Sequence, residues 1–232
     1  MKKFIIICLL ISVAACSSKK DGNMIVTGKI KGLKKGKLYL QKIQDSVLVS
    51  VDSVSLVGNE EFKLTDNIED PILYYLTFDG NTSEKRILFF GEKGTITIND
   101  DLEKFAISPV VTGSKNQQVL EDYYKITRRF KDQNLDLIKE NFEAQRDKDE
   151  EKLLAIQQKS DNNLKRRYLF TANFVLNHPD TEAAAYITLT ELIDLNVKLL
   201  DSIDSKLTDR VKATTYGKKF TKFLKDVKEN EQ

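Results

Sequence analysis

Two cysteines, one histidine and 35 carboxylates are the groups in this 232-residue chain whose types suit chemistry. Cys8 and Cys16 form no Cys-x-x-Cys pair, so their spacing carries no dithiol redox motif. His178 stands in the turn-forming string Asn177-His178-Pro179-Asp180 and reads as a loop residue between helices, not as a general base. A zinc site built on one histidine needs carboxylates to complete it, and a serine triad would have to recruit that same residue. No metal and no cofactor are therefore expected. Two carboxylates of different pKa suffice for glycoside cleavage, yet spacing alone names no converging pair. Gly91-Glu92-Lys93-Gly94-Thr95 lacks the Gly-x-x-x-x-Gly-Lys spacing of a phosphate loop and precedes a strand pattern, so it reads as a hairpin turn.

The cysteines acquire meaning from their surroundings. Lys2 and Lys3 precede an apolar run from Phe4 to Val13, too short to cross a bilayer, and small residues then lead into Cys16. This is the layout of a cleaved secretion signal over residues 1–15, and Val13-Ala14-Ala15-Cys16 resembles a bacterial lipobox. The resemblance implies that Cys16 becomes the fatty-acylated first residue of the mature chain. Residues 16–23 would then be a lipid-bearing tether, polar from Ser17 to Asn23, holding the protein to the bilayer. An ordinary secretory signal cut after Ala15 is the alternative. With Cys8 discarded and Cys16 blocked, no thiol would remain for redox catalysis.

Hydrophobic residues at 41% and only 10 glycines and 3 prolines support a folded body with long regular elements. Leaving out Lys2 and Lys3, basic and acidic residues balance at 35 each, so bulk attraction to nucleic acid is not expected. Period-two and β-branched segments predict strands at 24–30, 37–43, 47–57, 62–64, 72–78, 86–90, 95–98 and 105–112. Glycine-bearing turns separate them, Gly80-Asn81 among them, and a bulge is expected midway along 47–57. The expected fold class is α+β: an antiparallel β-sandwich or partly open barrel over 24–113, then a helical bundle over 114–232.

After Gly113 the period becomes helical, with Ser114 as N-cap and a stripe of Leu120, Tyr123, Tyr124, Thr127, Phe130, Asn134 and Ile138. A second stripe runs through Leu153, Ile156, Leu164, Tyr168, Ala172 and Val175, predicting an antiparallel helical hairpin packed on itself and on the sheet. Further helices are expected at 181–193, 197–207 and 215–228. From Arg210 to Lys228 the chain carries seven basic residues and one acid, with Phe220, Phe223, Leu224 and Val227 on one face. That pattern suits a terminal helix packed on the bundle with lysines outward, or a basic amphipathic helix touching an anionic membrane.

The order of these features resembles a Bacteroidota lipoprotein family. Val26-Thr27-Gly28-Lys29-Ile30-Lys31-Gly32, Lys37-Leu38-Tyr39-Leu40, Val51-Asp52-Ser53-Val54, Phe62-Lys63-Leu64 and Asp70-Pro71-Ile72-Leu73-Tyr74 carry the likeness. It continues through residues 87–98, Val111 to Asn116, and a helical insert ending near Tyr216-Gly217-Lys218. The family is the domain of unknown function that precedes a thioredoxin-like domain in thiol-disulfide oxidoreductases. Its longer members carry a Trp-Cys-x-x-Cys motif that this tryptophan-free chain does not, so the catalytic domain is expected to be absent. Asp45-Ser46-Val47, Asp52-Ser53-Val54 and Asp201-Ser202-Ile203 also resemble sites at which Bacteroidota glycosylate exported proteins, on Ser46, Ser53 and Ser202.

The expected function is that of a noncatalytic binding or interaction module, with the bilayer and a periplasmic protein, peptide or glycan as partners. Lys19-Lys20 in place of an acidic cluster favours the periplasmic side of the outer membrane. The alternatives are an accessory subunit of a thiol-disulfide redox system and a carboxylate-based hydrolase.

Overall fold

Met24, Val26 and Ile30 are fully buried while Ile25 and Thr27 stay partly open, the two-residue period of a strand with one face on a core. The computed structural model describes residues 22–79 and 85–230; the leader, Cys16 with its tether to residue 21, and the Gly80-Asn81 turn lie outside these. The same period recurs through β1 (Met24–Lys31), β2 (Lys35–Gln44), β3 (Val47–Val57), β4 (Glu61–Asp66), β5 (Ile72–Phe78), β6 (Ile87–Gly91), β7 (Gly94–Asp101) and β8 (Val110–Thr112). They form two four-stranded sheets, ordered β4-β1-β7-β8 and β3-β2-β5-β6. Their facing sides enclose one core in which Leu38, Leu40, Tyr74, Phe89, Ile96 and Ile98 are fully buried. The expected α+β sandwich is present, and its sheets do not close into a barrel.

Three details differ from the expectation. The Glu92-Lys93 connection is no hairpin: β6 lies in one sheet and β7 in the other, so the chain crosses between sheets there. The crossing brings β7 in from the same end as β1, and these two pair in parallel (Met24 with Gly94, Lys31 with Asp101). Gly28 permits their close approach, because a Cβ there would fall 1.8 Å from the Ile98 carbonyl oxygen. Residues 105–109 are not strand either. Ala106 N–H donates to Asp100 Oδ2 at 2.7 Å, the chain turns, and Phe105 is buried edge-on against Phe78.

Asp45 and Ser46, both left-handed at φ 48° and 68°, make a two-residue turn of the mirror-image type between β2 and β3. Beyond it the expected bulge appears. Leu40 faces Asp52 and Gln41 faces Ser50, leaving Val51 as the extra residue. The shift lets Val51 and Val54 both pack on the core despite their odd spacing.

Ser114 ends the sandwich and starts the helices, its Oγ accepting from Gln117 N–H at 3.0 Å. Six helices follow: α1 (Lys115–Asp147), α2 (Glu150–Leu176), α3 (Glu182–Glu191), α4 (Val197–Lys206), α5 (Asp209–Lys212) and α6 (Thr215–Asn230). The first two form the expected antiparallel hairpin; α1, at 33 residues, is about 50 Å long. Leu120, Tyr123, Thr127 and Phe130 of the expected stripe are buried and Leu137 and Ala144 continue the inward face, while Asn134 and Ile138 face solvent instead of the core. On α2 the buried position belongs to Asn163, seven after Ile156, and Leu164 is 44% exposed. A repeat of seven, 3.5 residues per turn, keeps two wound helices in register, whereas two successive steps of four, from Phe130 through Asn134 to Ile138, drift off the seam.

Phe90, Val119, Tyr123, Phe174, Ala184, Ile187 and Phe220 lead a second core, which joins the hairpin base and the α3–α6 body to the outer face of β5 and β6. In α6, Phe220 and Leu224 point into that core and Lys218, Lys219, Lys222 and Lys225 point outward, as a packed terminal helix requires. Among the described residues no helix is long and apolar enough to cross a membrane.

Candidate functional site

Charge and aromatic surface concentrate along the seam between sandwich and helices, at the end where Gly22 and Asn23 lead into β1. Gly22 N–H donates to Thr65 Oγ1 at 2.7 Å. Asn23 exchanges two bonds of 2.8 Å with the Ile68 backbone, its Nδ2 donating to the carbonyl and its Oδ1 accepting from the N–H. Asn67 Oδ1 accepts from Asn23 N–H at 3.1 Å. The loop after β4 is thus clamped to Gly22 and Asn23, and it then runs on through Glu69 and Asp70 into two clefts.

The first cleft, about 630 Å³, is lined by Asn67, Ile68, Tyr75, Tyr186, Tyr216 and Lys219, among others. β5 supplies Tyr75: Tyr74 and Leu76 point into the core, so the alternate residue faces outward. Tyr186 from α3 and Tyr216 from α6 pack edge to face at 5.3 Å, and both lean on Phe90 at 5.7 and 5.9 Å. Leu73 N–H donates to Tyr216 Oη at 3.2 Å, a bond between residues 143 apart in sequence. Burial pushes the Tyr216 phenol up to about 12 and raises that of Tyr186, so both stay neutral at physiological pH. Beneath the cleft, Asp66 Oδ2 accepts from Lys42 Nζ at 2.6 Å and from the Tyr74 hydroxyl at 2.7 Å. Lys219 lies 5.9 Å from the centre of the Tyr216 ring. Asp70 accepts from the N–H of Thr215, so a sandwich carboxylate caps α6 from across the seam.

The second cleft, about 580 Å³, shares Glu69 and Asp70 and is more highly charged. Apart from Glu69, its carboxylates are engaged. Glu92 accepts from Lys115 N–H at 2.6 Å and from Asn116 Nδ2 at 3.0 Å, closing the start of α1. Asn116 Nδ2 also reaches Glu182 at 2.9 Å, and its Oδ1 accepts from Ala183 N–H at 2.8 Å, closing the start of α3. Glu182, with 2% of its side chain exposed, takes its countercharge from Arg210. Asp180 pairs with Lys115 at 2.7 Å, and that bond holds its carboxyl below the usual range. Bonds of this kind fix two helix starts and a buried charge, which leaves no carboxylate of the network free as acid or base.

The residues singled out from sequence scatter. Cys16 lies outside the described residues. Ser46 is exposed in the β2–β3 turn, Ser53 on β3 and Ser202 on α4, and the three do not meet. His178 sits in the α2–α3 turn with its ring stacked on Phe174 at 4.2 Å and Nδ1 2.8 Å from the Phe174 carbonyl oxygen. Of the three aromatics on β5, Tyr74 is core, Phe78 packs against it, and Tyr75 lines the cleft. Tyr186, Tyr216, Lys42 and Lys219 were missed, since no motif links residues so far apart. Among the described residues no group of three or more His, Cys, Asp or Glu side chains is placed to hold a metal ion.

A β-sandwich carrying a helical hairpin and a small bundle, with an aromatic cleft along the joint, is the class of protein that fold and site define. Residues 24–120 match the model of a domain of unknown function, DUF4369. The match covers the sandwich and the first turns of α1, so most of the hairpin and the bundle lie beyond it. No curated protein and no solved structure matches the chain.

Proposed function

We propose that this protein is a membrane-anchored lipoprotein, facing the periplasm, that acts as a noncatalytic binding module through the tyrosine-lined cleft. The observation that carries the reading is the set Tyr75, Tyr186 and Tyr216, drawn from three elements and left half-buried around one opening. Rigid amphipathic rings with hydroxyl tips suit recognition of a polar ligand by stacking and hydrogen bonding. The leader and lipobox-like string support the anchor, through acyl chains on Cys16.

A photoreactive side chain in place of Tyr75, compared with one in place of Val57 at the far end of the sandwich, tests the binding role in living cells. Adducts from the first position and none from the second are expected. No adduct at position 75, or equal labelling at both, overturns the assignment.

The match to DUF4369, with the resemblance to Bacteroidota proteins that join such a domain to a thioredoxin-like one, supports a second reading: an accessory subunit of a thiol-disulfide system. It requires a separately encoded thioredoxin-like partner, and co-purification with one distinguishes it.

A further inference from the structure

The clamp on the tether and the tyrosine cleft are built from the same loop. Asn67 and Ile68, which hold Asn23, also line the cleft wall, and Glu69 and Asp70 continue its rim. Five residues separate Cys16 from Gly22. Even fully extended, that length of chain spans no more than about 20 Å, so an acylated Cys16 holds the cleft mouth close to the bilayer. Val57 pairs with Lys35, seven positions along β2 from Lys42 at the cleft, or about 23 Å away. The cleft end of the sandwich is therefore kept within that reach of the headgroups, a bound the Val57 end does not share.

The cleft's composition suits that position. Tyrosine rings and lysines with long apolar stems are the side chains favoured at the membrane–water boundary. Lys42 and Asp66 neutralise each other beneath the cleft, and Asp70 is taken up by the start of α6. Lys219 and Glu69 remain on its walls, exposed and of opposite sign. A ligand matched to both carries a negative and a positive group.

Resting on the lipoprotein reading, we infer that the cleft faces the anchoring bilayer and takes the phosphoethanolamine headgroup of a lipid, with phosphate toward Lys219 and ammonium toward Glu69. The three tyrosine rings line the same cleft, and the acyl chains stay in the leaflet.

Two measurements on the full-length protein test this. Mass spectrometry of the native N-terminus comes first; an acyl-free terminus overturns the anchor and this inference together. On acylated protein reconstituted in phosphatidylethanolamine vesicles, spin labels at Ile43→Cys, on the cleft wall, and Val57→Cys are relaxed by a nickel-chelating lipid. Both sites are exposed, at 56% and 85%, so neither label disturbs a core. Strong relaxation at position 43 and weak relaxation at 57 are expected. Equal relaxation with an intact anchor overturns this inference alone.

Headgroup choice is read by tyrosine emission, which the absence of tryptophan leaves unobscured. In detergent, short-chain phosphoethanolamine lipid should saturate the signal, and the phosphocholine analogue, unable to donate to Glu69, should bind about tenfold more weakly. Lys219→Ala and Glu69→Gln, both at exposed positions, should each weaken binding by about tenfold as well. Equal response to both lipids, unchanged affinity in both variants, or equally tight binding of free phosphoethanolamine overturns the assignment.

Discussion

The sandwich and the outer half of the hairpin hold themselves together in different ways. Between the sheets, side chains from all eight strands meet in one core with many members wholly buried. Out along the hairpin the closed interior is Leu137, Ala144 and Ile156 with Leu153 against them, while Leu135, Phe142 and Leu154 are each more than 60% exposed. Two helices enclose a seam and not a volume, so each inward residue there has fewer partners to lose. The clefts therefore sit on the rigid part of the molecule, and the hairpin's outer half is the region free to open by itself.

Phe89→Ala should break the sandwich side most severely. Removing a fully buried ring is expected to cost about 4 kcal/mol, measured by denaturant unfolding, and cleft and hairpin should fail together in one transition. Leu137→Ala should cost less, about 2 kcal/mol, because the seam can close over a smaller side chain. Hydrogen exchange should quicken along the outer turns of α1 and α2 and remain unchanged in β1–β8; quickening in both regions would show that they are one cooperative unit.

The seam between the regions gives a third, smaller effect. Tyr216 has its phenol raised by burial from 10.0 to about 12, so it stays protonated in the fold at pH values where the unfolded chain has released the proton. Its contribution is whole below pH 10 and is lost as pH rises from 10 toward 12. Tyr216→Phe should therefore flatten the fall in stability across that window, at a cost of about 1 kcal/mol at neutral pH for the lost Leu73 bond. An alkaline profile identical to that of the parent would show the ring is open to water. Least of all, Leu154→Gln on the exposed hairpin face should change stability by no more than about 0.5 kcal/mol.

Local signals were legible where a residue's role depends on near neighbours. Ser114 caps α1 because its hydroxyl reaches an N–H three residues on, and the Val51 bulge could be expected because the apolar period slips by one within a single strand. The hairpin's inward set was harder. Asn163 outranks Leu164 because its Nδ2 reaches the Phe130 carbonyl at 2.9 Å, a bond set by the partner helix and invisible in the apolar pattern. The cleft was illegible altogether: Tyr75, Tyr186 and Tyr216 each resemble a core aromatic in their own segment.

By itself the amino-acid sequence determined the element types, the change from strands to helices near residue 114, and the expectation of a lipid on Cys16, since these rest on periodicity, capping and a contiguous string. Only the tertiary structure decided that β1 and β7 run parallel, that Glu92 and Asp70 cap helices from another layer, and that three tyrosines share an opening. The physical reason is range: a hydrogen-bonding period repeats every few residues, whereas a cleft is a meeting of distant residues that exists only once two layers have packed.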